Sequence, residues 1–244
     1  MCSRYFLDAD GNVIAYAFRV PVDTRIRKRF NIAPSQEAPV VRLGEGGARE
    51  VAMLRWGLVP PWAKDPAVGS RMINARSESA AAKPAFRQAF RSRRCAIPAS
   101  GFYEWTGDPR RRVPHAITVE GRPIVAFAGL WESWKDAAGK PLETYTILTT
   151  AANGFVRPMH DRMPAILAEG DLRLARRLAG GRGEAHPAVP GRRAARAHRL
   201  PGGERPAGGV RAAGGERGEP GPLRRSLSVG GTWAKSDLSA DKRR

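Results

Sequence analysis

The stretch HAITVEGRPIVAFAGLWESWKDAAGKPLETYTILTT, residues 115–150, determines the fold class. It contains three runs rich in β-branched, aromatic and other apolar residues, at 115–119, 124–131 and 144–150. The residues between these runs include Gly, Pro, Asp and Lys. Apolar runs of this length that are bounded by turn-forming residues predict β-strands. Three such strands in close succession favour a domain built around a sheet.

The remainder of residues 1–170 extends this pattern. Further strands are predicted at 13–18, after the Asp10-Gly11-Asn12 turn, at 49–54 and at 101–105. A short helix is predicted after residues 74–78, and a second helix begins at Pro84, with Phe86 and Phe90 one turn apart and facing the core. Residues 31–34 predict an ordered loop. Many short strands and few helices predict the α+β class, as a single β-rich mixed domain.

Residues 171–244 differ in composition from residues 1–170. They contain 14 of the 27 glycines and, of the large aromatic residues, only Trp233. So little apolar surface cannot offset the entropy lost on ordering the chain, and we therefore predict a largely disordered tail.

The formal net charge of +19 is distributed over both parts of the chain. Residues 171–244 hold 17 Lys and Arg against seven Asp and Glu, and residues 1–170 hold 25 against 16. Residues 1–170 are therefore basic even without the tail, which favours a polyanionic partner. The alternative is a basic surface that contacts only solvent.

Two cysteines, Cys2 and Cys95, provide neither a disulfide framework nor a zinc site, and no metal or cofactor is expected. The first residues are polar and charged, and no apolar run approaches the roughly 18 residues of a membrane span. We therefore expect a soluble cytoplasmic protein without a membrane partner.

Cys2 directly follows Met1, and a small second residue allows the initiator methionine to be removed. The chain would then begin with an α-amine and a thiol on adjacent carbons. Such an aminothiol condenses with an aldehyde to an imine, which the thiol closes to a thiazolidine. The usual pKa values, about 7.7–8.0 for an α-amine and about 8.5 for a thiol, leave both groups partly nucleophilic near neutrality. Alternatively, Cys2 has no role beyond its place in the chain.

Five further side chains could carry chemistry, and each has a structural alternative. His160 is of the residue type that most often serves as a proton shuttle, although a lone histidine is more often structural or solvated. Glu104 lies among aromatic residues, where desolvation would raise its carboxyl pKa unless it lies at a surface edge. Asn74 is a site residue or a simple turn residue. Trp62 and Trp105 are core residues or stacking platforms for unpaired bases.

Six strings of residues, taken together, resemble the SOS-response-associated peptidase family. They are MCSRY (1–5), FNIAP (30–34), RWGLVP (55–60), INARSE (73–78), PASGFYEW (98–105) and MHDRMP (159–164). The resemblance covers residues 1 to about 168. It implies a barrel-like sheet core with short helices, in a protein that crosslinks to abasic sites in single-stranded DNA.

The resemblance also implies roles for particular residues. Cys2 would be the nucleophile towards the aldehyde of a ring-opened abasic deoxyribose, with Asn74, Glu104 and His160 as the other catalytic residues. Glu104 and His160 would move protons, and Asn74 would hold the adduct. The same site would remove Met1, unless a housekeeping aminopeptidase does so. The expected DNA contacts are Arg4, Asn31, Pro34, Trp62, Arg71, Arg76, Trp105 and Arg162. The expected state is a monomer, associated with the nucleoid when it is on DNA.

Two other functions remain open from the residues alone. One is an N-terminal-nucleophile hydrolase, in which Cys2 attacks a peptide or amide and its own amine serves as the base. The other is a basic module that binds single-stranded DNA without chemistry.

The resemblance ends after residues 166–168, where the chain becomes rich in Gly, Arg, Ala and Pro. A reading-frame shift in a GC-rich gene is the favoured explanation, and a genuine basic tail is the alternative. Translation of the other two frames past codon 168 distinguishes them.

Overall fold

The structure is a computed structural model that describes residues 2–108, 110–168 and 195–199, the last segment and Glu45 by their backbone alone. In chain order, its elements are β1 (Tyr5–Leu7), α1 (Gly11–Phe18), β2 (Arg29–Ile32), β3 (Glu37–Leu43), β4 (Arg49–Trp56), β5 (Asn74–Arg76), α2 (Ser77–Ala80), α3 (Arg87–Ser92), β6 (Arg94–Ala99), β7 (Gly101–Thr106), β8 (Val113–Val119), β9 (Val125–Lys135), β10 (Pro141–Ala151), β11 (Arg162–Pro164) and β12 (Ala195–Arg199). Short 3₁₀ turns lie at Glu45–Gly47 and Pro66–Arg71.

Five of these strands form a closed barrel. β10 pairs with β4, β4 with β3, β3 with β6 and β6 with β9, and β9 closes the ring by pairing with β10. Only the β4–β10 pair among these five is parallel. Alternate side chains point into the core, as Ala52, Leu54 and Trp56 do on β4. The α+β, β-rich and barrel-like architecture expected from the sequence is therefore confirmed.

A second sheet, in the order β2-β1-β7-β8-β12, places the start of the chain against this barrel. The ring of Tyr5 on β1 packs edge-on against Trp56 and Phe127, at centroid distances of 5.3 and 5.9 Å. Its hydroxyl shares a 2.8 Å hydrogen bond with the hydroxyl of Tyr145 on β10. Buried aromatic pairs of this kind contribute about 0.5–1.5 kcal/mol each beyond the burial of their area. The residues just before Tyr5 are therefore held near β10.

Two short strands complete one end of β10. β5 runs parallel to β10, with Arg76 opposite Thr149, and β11 runs antiparallel to it, with Pro164 opposite the same threonine. The chain that precedes β11 and the chain that forms β5 are therefore neighbours across β10.

The strand predicted at 13–18 is wrong, because residues Gly11–Phe18 form the helix α1. The Asp10 carboxylate accepts hydrogen bonds from the backbone N–H groups of Asn12 and Val13, at 3.0 and 3.1 Å, and so caps the helix. Ile14 and Phe18, one helical turn apart, are buried. Buried residues spaced four apart, such as Ile14 and Phe18, indicate a helix. The helical spacing is hard to recognise in the sequence because most residues of the segment are apolar.

Most of the other predicted elements are found, some with shifted ends. The strands at 49–54, 101–105, 115–119, 124–131 and 144–150 correspond to β4, β7, β8, β9 and β10. The short helix after Asn74 is α2, whereas the helix predicted from Pro84 begins only at Arg87. Phe86, just before that helix, and Phe90 pack on the same apolar cluster. The loop predicted at 31–34 begins inside β2, because Ile32 pairs with Tyr5.

Within the segment predicted to be a tail, residues Ala195–Arg199 form β12, which pairs with β8. The remainder of residues 171–244 lies outside the described residues, so its disorder stays a prediction. In the part of the chain that the structure describes, no helix is long and apolar enough to cross a membrane.

Candidate active site

Cys2 is buried at the point where the start of the chain meets β7. The backbone N–H of Tyr103 donates to the Arg4 carbonyl at 3.0 Å, which continues the pairing of β1 with β7 towards Cys2. The Cys2 carbonyl accepts a 2.7 Å hydrogen bond from Nδ2 of Asn74. The Cys2 thiol makes a weak contact with the Arg4 carbonyl at 3.7 Å. The second residue of the chain is therefore fixed to both β7 and β5.

The surroundings of the Cys2 thiol favour its protonated form. Burial raises the pKa of this thiol well above its usual range, and the negative charge of Glu104 raises it further. The thiol is thus a poor nucleophile in this state, and a reaction at Cys2 begins more easily at another atom.

Glu104 projects from β7 and is only 4% exposed. Burial raises the pKa of its carboxyl, the positive charges of the amino terminus and of His160 lower it, and the negative charge of Asp161 raises it. A carboxyl group with a raised pKa retains its proton at higher pH and can donate it as a general acid. Glu104 acts electrostatically on the Cys2 thiol, and His160 acts on Glu104, so the glutamate lies between the two in this series of interactions.

Asn74 is the first residue of β5, and Trp56 holds the chain just before it, because the indole Nε1–H donates to the Ile73 carbonyl at 2.8 Å. The Asn74 amide donates to Cys2, whereas its Oδ1 is buried and has no hydrogen-bond partner among the described residues. An unpartnered buried acceptor beside the start of the chain can receive an N–H or O–H group.

His160 precedes β11 by two residues. Its Nδ1 accepts a 2.9 Å hydrogen bond from the backbone N–H of Arg162, and the Asp161 carboxylate lies 2.8 Å from the same nitrogen. Nδ1 cannot accept from Arg162 while it carries a proton. In the neutral ring the proton is therefore on Nε2, and the contact with Asp161 becomes an ion pair only when the ring is protonated.

The structure brings together the four residues expected to be catalytic. Cys2 lies just before β1, Asn74 on β5, Glu104 on β7 and His160 before β11. A hydrogen bond joins Asn74 to Cys2, and electrostatic interactions join Cys2 to Glu104 and Glu104 to His160. This arrangement combines a thiol, an amide, a carboxyl and an imidazole.

The residues expected to contact DNA differ in how exposed they are. Arg71 and Arg76, on either side of Asn74, are exposed, and Trp62 is 63% exposed. Trp105 is half-buried, with its ring centroid 6.4 Å from that of Tyr103.

Four others are half-buried, and two of them are held by hydrogen bonds. Arg4 donates to the Ser3 carbonyl at 2.9 Å, and Arg162 is paired with Glu78. Asn31 has a buried Oδ1 without a partner among the described residues, and Pro34 precedes Ser35, which has a φ of 66°.

Sequence reasoning assigned no role to two residues beside the site. Glu78 is part of the INARSE string, and only the structure shows that it binds Arg162 through two hydrogen bonds of 2.8 Å. Tyr145 lies in the middle of β10, and nothing in a strand of apolar and threonine residues indicates a hydroxyl pair with Tyr5, 140 positions earlier.

Fold and site together define a β-barrel protein whose second residue, a cysteine, is the centre of a candidate active site. A family model described as SOS response associated peptidase (SRAP) matches residues 1–179, and the chain belongs to this family.

Three relatives show how far the similarity extends. The chain is 41% identical over 173 residues to the abasic site processing protein YoqW of Bacillus subtilis, covering 69% of this chain and 77% of that protein. It is 48% identical over 140 residues to YoaM of the same organism, an abasic site processing protein, covering 57% of this chain and 61% of that protein. It is 30% identical to the abasic site processing protein HMCES of Gallus gallus over 177 residues, 60% of this chain and 52% of that protein.

Solved structures share the fold. A protein from Bordetella bronchiseptica is similar with a TM-score of 0.67 and 28% identity, covering 82% of this chain and 100% of that one. A protein from Bacteroides thetaiotaomicron is similar with a TM-score of 0.66 and 25% identity, covering 73% of this chain and 81% of that one.

Proposed function

We propose that this protein processes abasic sites in single-stranded DNA, and that Cys2, after removal of Met1, forms a thiazolidine crosslink with the abasic sugar. The observation that carries the proposal is the position of Cys2, held by Asn74 beside Glu104, whose carboxyl interacts with His160. The relatives named as abasic site processing proteins support the DNA lesion as the substrate.

Removal of Met1 changes what Cys2 can do. While Met1 is attached, the Cys2 nitrogen is an amide and cannot attack a carbonyl. After its removal, the α-amine has a usual pKa of about 7.7–8.0, and a part of it is unprotonated near neutrality. Because burial keeps the thiol protonated, the amine is the better first nucleophile. The Oδ1 of Asn74, which has no partner within the described part of the chain, is an acceptor for its N–H.

The reaction then has two stages. The Cys2 amine forms a C–N bond with C1′ of the open-chain sugar, and loss of water gives the imine. The Cys2 sulfur next forms a C–S bond with the imine carbon, and the thiol proton moves to the nitrogen. Glu104, protonated over a wider pH range than an exposed glutamate, donates the proton that the departing water needs. His160 in its protonated form, with Asp161 at Nδ1, returns a proton to Glu104 and is left neutral, and the same ring can assist ring opening.

Binding to DNA would use exposed basic and aromatic side chains around this site. Arg71 and Arg76 lie on either side of Asn74 and are candidates for phosphate contacts. Trp62 presents a largely exposed indole on which a neighbouring base can stack. The proposal places a monomer on DNA in the cytoplasm, at the nucleoid.

The family description also names a peptidase, and this supports a second activity at the same site. We propose that the chain removes its own Met1. A Cys2→Ala variant that retains Met1 when purified from a host lacking methionine aminopeptidase activity, beside a wild type that loses it, would support self-processing.

The decisive experiment incubates the mature protein with a single-stranded oligonucleotide that contains one abasic site and with the intact oligonucleotide. We expect a heat-stable adduct on a denaturing gel with the abasic strand alone, and none with Cys2→Ala. Cys95→Ala is the matched control, because Cys95 is the only other cysteine of the sequence and is buried within the barrel wall.

Other outcomes identify the alternatives. Repeated turnover of a peptide or amide without an adduct indicates a hydrolase. Salt-sensitive binding that is equal for both strands, without an adduct, indicates a DNA-binding module.

A further inference from the structure

Arg162 and Glu78 form a bidentate ion pair beside the candidate active site, and no role has been assigned to Glu78. Both guanidinium nitrogens Nη1 and Nη2 of Arg162 donate to the Glu78 carboxylate at 2.8 Å, and Nη2 also donates to the Thr149 carbonyl. The Arg162 side chain is only 12% exposed. Bidentate pairs of arginine and carboxylate fix the geometry of both partners, and partial burial limits their screening by salt.

The backbone of Arg162 determines the tautomer of the His160 ring. The Arg162 N–H donates to Nδ1 of His160 at 2.9 Å, which places the proton of the neutral ring on Nε2. A guanidinium held by Glu78 and Thr149 keeps the start of β11 in place. A shift of this backbone would release Nδ1 and allow the other tautomer.

Glu78 also belongs to the segment that carries Asn74. β5 ends at Arg76, and Glu78 lies in the first turn of α2, which follows directly. The ion pair therefore joins the segment that binds Cys2 to the segment that carries the imidazole.

We propose that Glu78 is a positioning residue, which holds Arg162 so that His160 keeps its Nε2–H tautomer. For its effect on catalysis this inference rests on the proposed function, whereas the tautomer of His160 does not depend on it.

The test compares Glu78→Gln with Glu50→Gln in the mature full chain. The control is matched, because Glu50 is also a partly exposed acid paired with a largely buried arginine, Arg42, whose side chain is 14% exposed. The ¹⁵N chemical shifts of the His160 ring, assigned by comparison with His160→Ala, report the tautomer. Rates of adduct formation and thermal melts are measured on the same samples.

We expect Glu78→Gln to shift the His160 nitrogens towards a mixture of tautomers and to slow adduct formation about tenfold, as for other losses of side-chain positioning. Glu50→Gln should change neither, while both variants melt at similar temperatures. Unchanged ¹⁵N shifts of the His160 ring in Glu78→Gln overturn the proposal. Tighter DNA binding with a steeper salt dependence in this variant also overturns it, because Glu78 would then compete with phosphate for Arg162. If the wild type forms no adduct, the proposed function fails, and the ring shifts alone still decide the role of Glu78.

Discussion

The hydrogen bond from Asn74 to the Cys2 carbonyl allows a quantitative prediction for Asn74→Ala. A neutral hydrogen bond contributes about 0.5–1.5 kcal/mol to stability, and a buried carbonyl left without a donor costs about 1–3 kcal/mol. Cys2 is fully buried, so water does not easily replace the lost donor. The substitution also removes Oδ1, a buried acceptor that no described residue binds, and this relieves a desolvation cost of similar size. We therefore expect a net loss of about 1 kcal/mol, or roughly 2–4 °C in the melting temperature for a domain of this size.

The effect on the reaction should be larger than the effect on stability. If the 2.7 Å bond holds Cys2 in its reacting position, loss of about 1.4 kcal/mol of this restraint slows adduct formation about tenfold. The assay is single-turnover adduct formation on an abasic oligonucleotide, resolved on a denaturing gel, with a thermal melt of each sample.

Tyr103→Phe is the control for Asn74→Ala. It removes a 2.8 Å hydrogen bond from the Tyr103 hydroxyl to the Phe30 carbonyl, and Tyr103 lies on the strand that carries Glu104. We expect a similar loss of stability and an unchanged rate. A wild-type rate in Asn74→Ala, or equal slowing in both variants, would refute the idea that Asn74 positions the nucleophile.

Two further predictions concern Glu104 and the exposed arginines. Burial raises the pKa of the Glu104 carboxyl, so the folded chain keeps a proton that the unfolded chain releases. Proton binding by Glu104 therefore favours the folded state at low pH. This stabilisation is lost as the pH rises from about 4.3, the usual pKa of glutamate, through the pKa of the folded state. Melts of Glu104→Gln across this range should therefore show a gain over the wild type that grows with pH, while adduct formation slows; a constant difference at all pH values would contradict the raised pKa. Arg71→Ala and Arg76→Ala should each reduce the slope of log K against log salt by about 1 for single-stranded DNA, measured by fluorescence anisotropy, whereas unchanged slopes would show that neither arginine contacts a phosphate.

The strands of this fold could be predicted from the sequence because their apolar runs end at turn-forming residues. The runs at 124–131 and 144–150 became β9 and β10, the longest strands described. Closure of the barrel could not be predicted in this way, because it depends on pairs such as Thr144 with Arg55, which are far apart in the chain. The error at 13–18 has a local cause, since the capping bonds of Asp10 and the i, i+4 pair of Ile14 and Phe18 outweigh strand-like composition.

The candidate site was predicted through resemblance rather than through spacing. Glu104 lies 30 residues after Asn74, and His160 lies 56 residues after Glu104, so no local pattern brings an amide, a carboxyl and an imidazole together. Their meeting depends on β1 pairing with β7 and on β5 and β11 flanking β10. The ion pair of Glu78 and Arg162 was missed for the same reason, because a carboxylate in an exposed helical turn has no distinctive sequence signal.

Under the proposed function, the burial of Cys2 determines the order of the two nucleophiles. A low-pKa thiolate would react first with any electrophile that reached it, and the product would be a hemithioacetal that reverts easily. Burial and the charge of Glu104 act in the opposite direction and keep the sulfur protonated. The amine then attacks first, and the thiol reacts only with an imine already formed beside it, where proximity compensates for the scarcity of thiolate. The same environment therefore protects the thiol from other electrophiles and reserves it for closure of the thiazolidine ring.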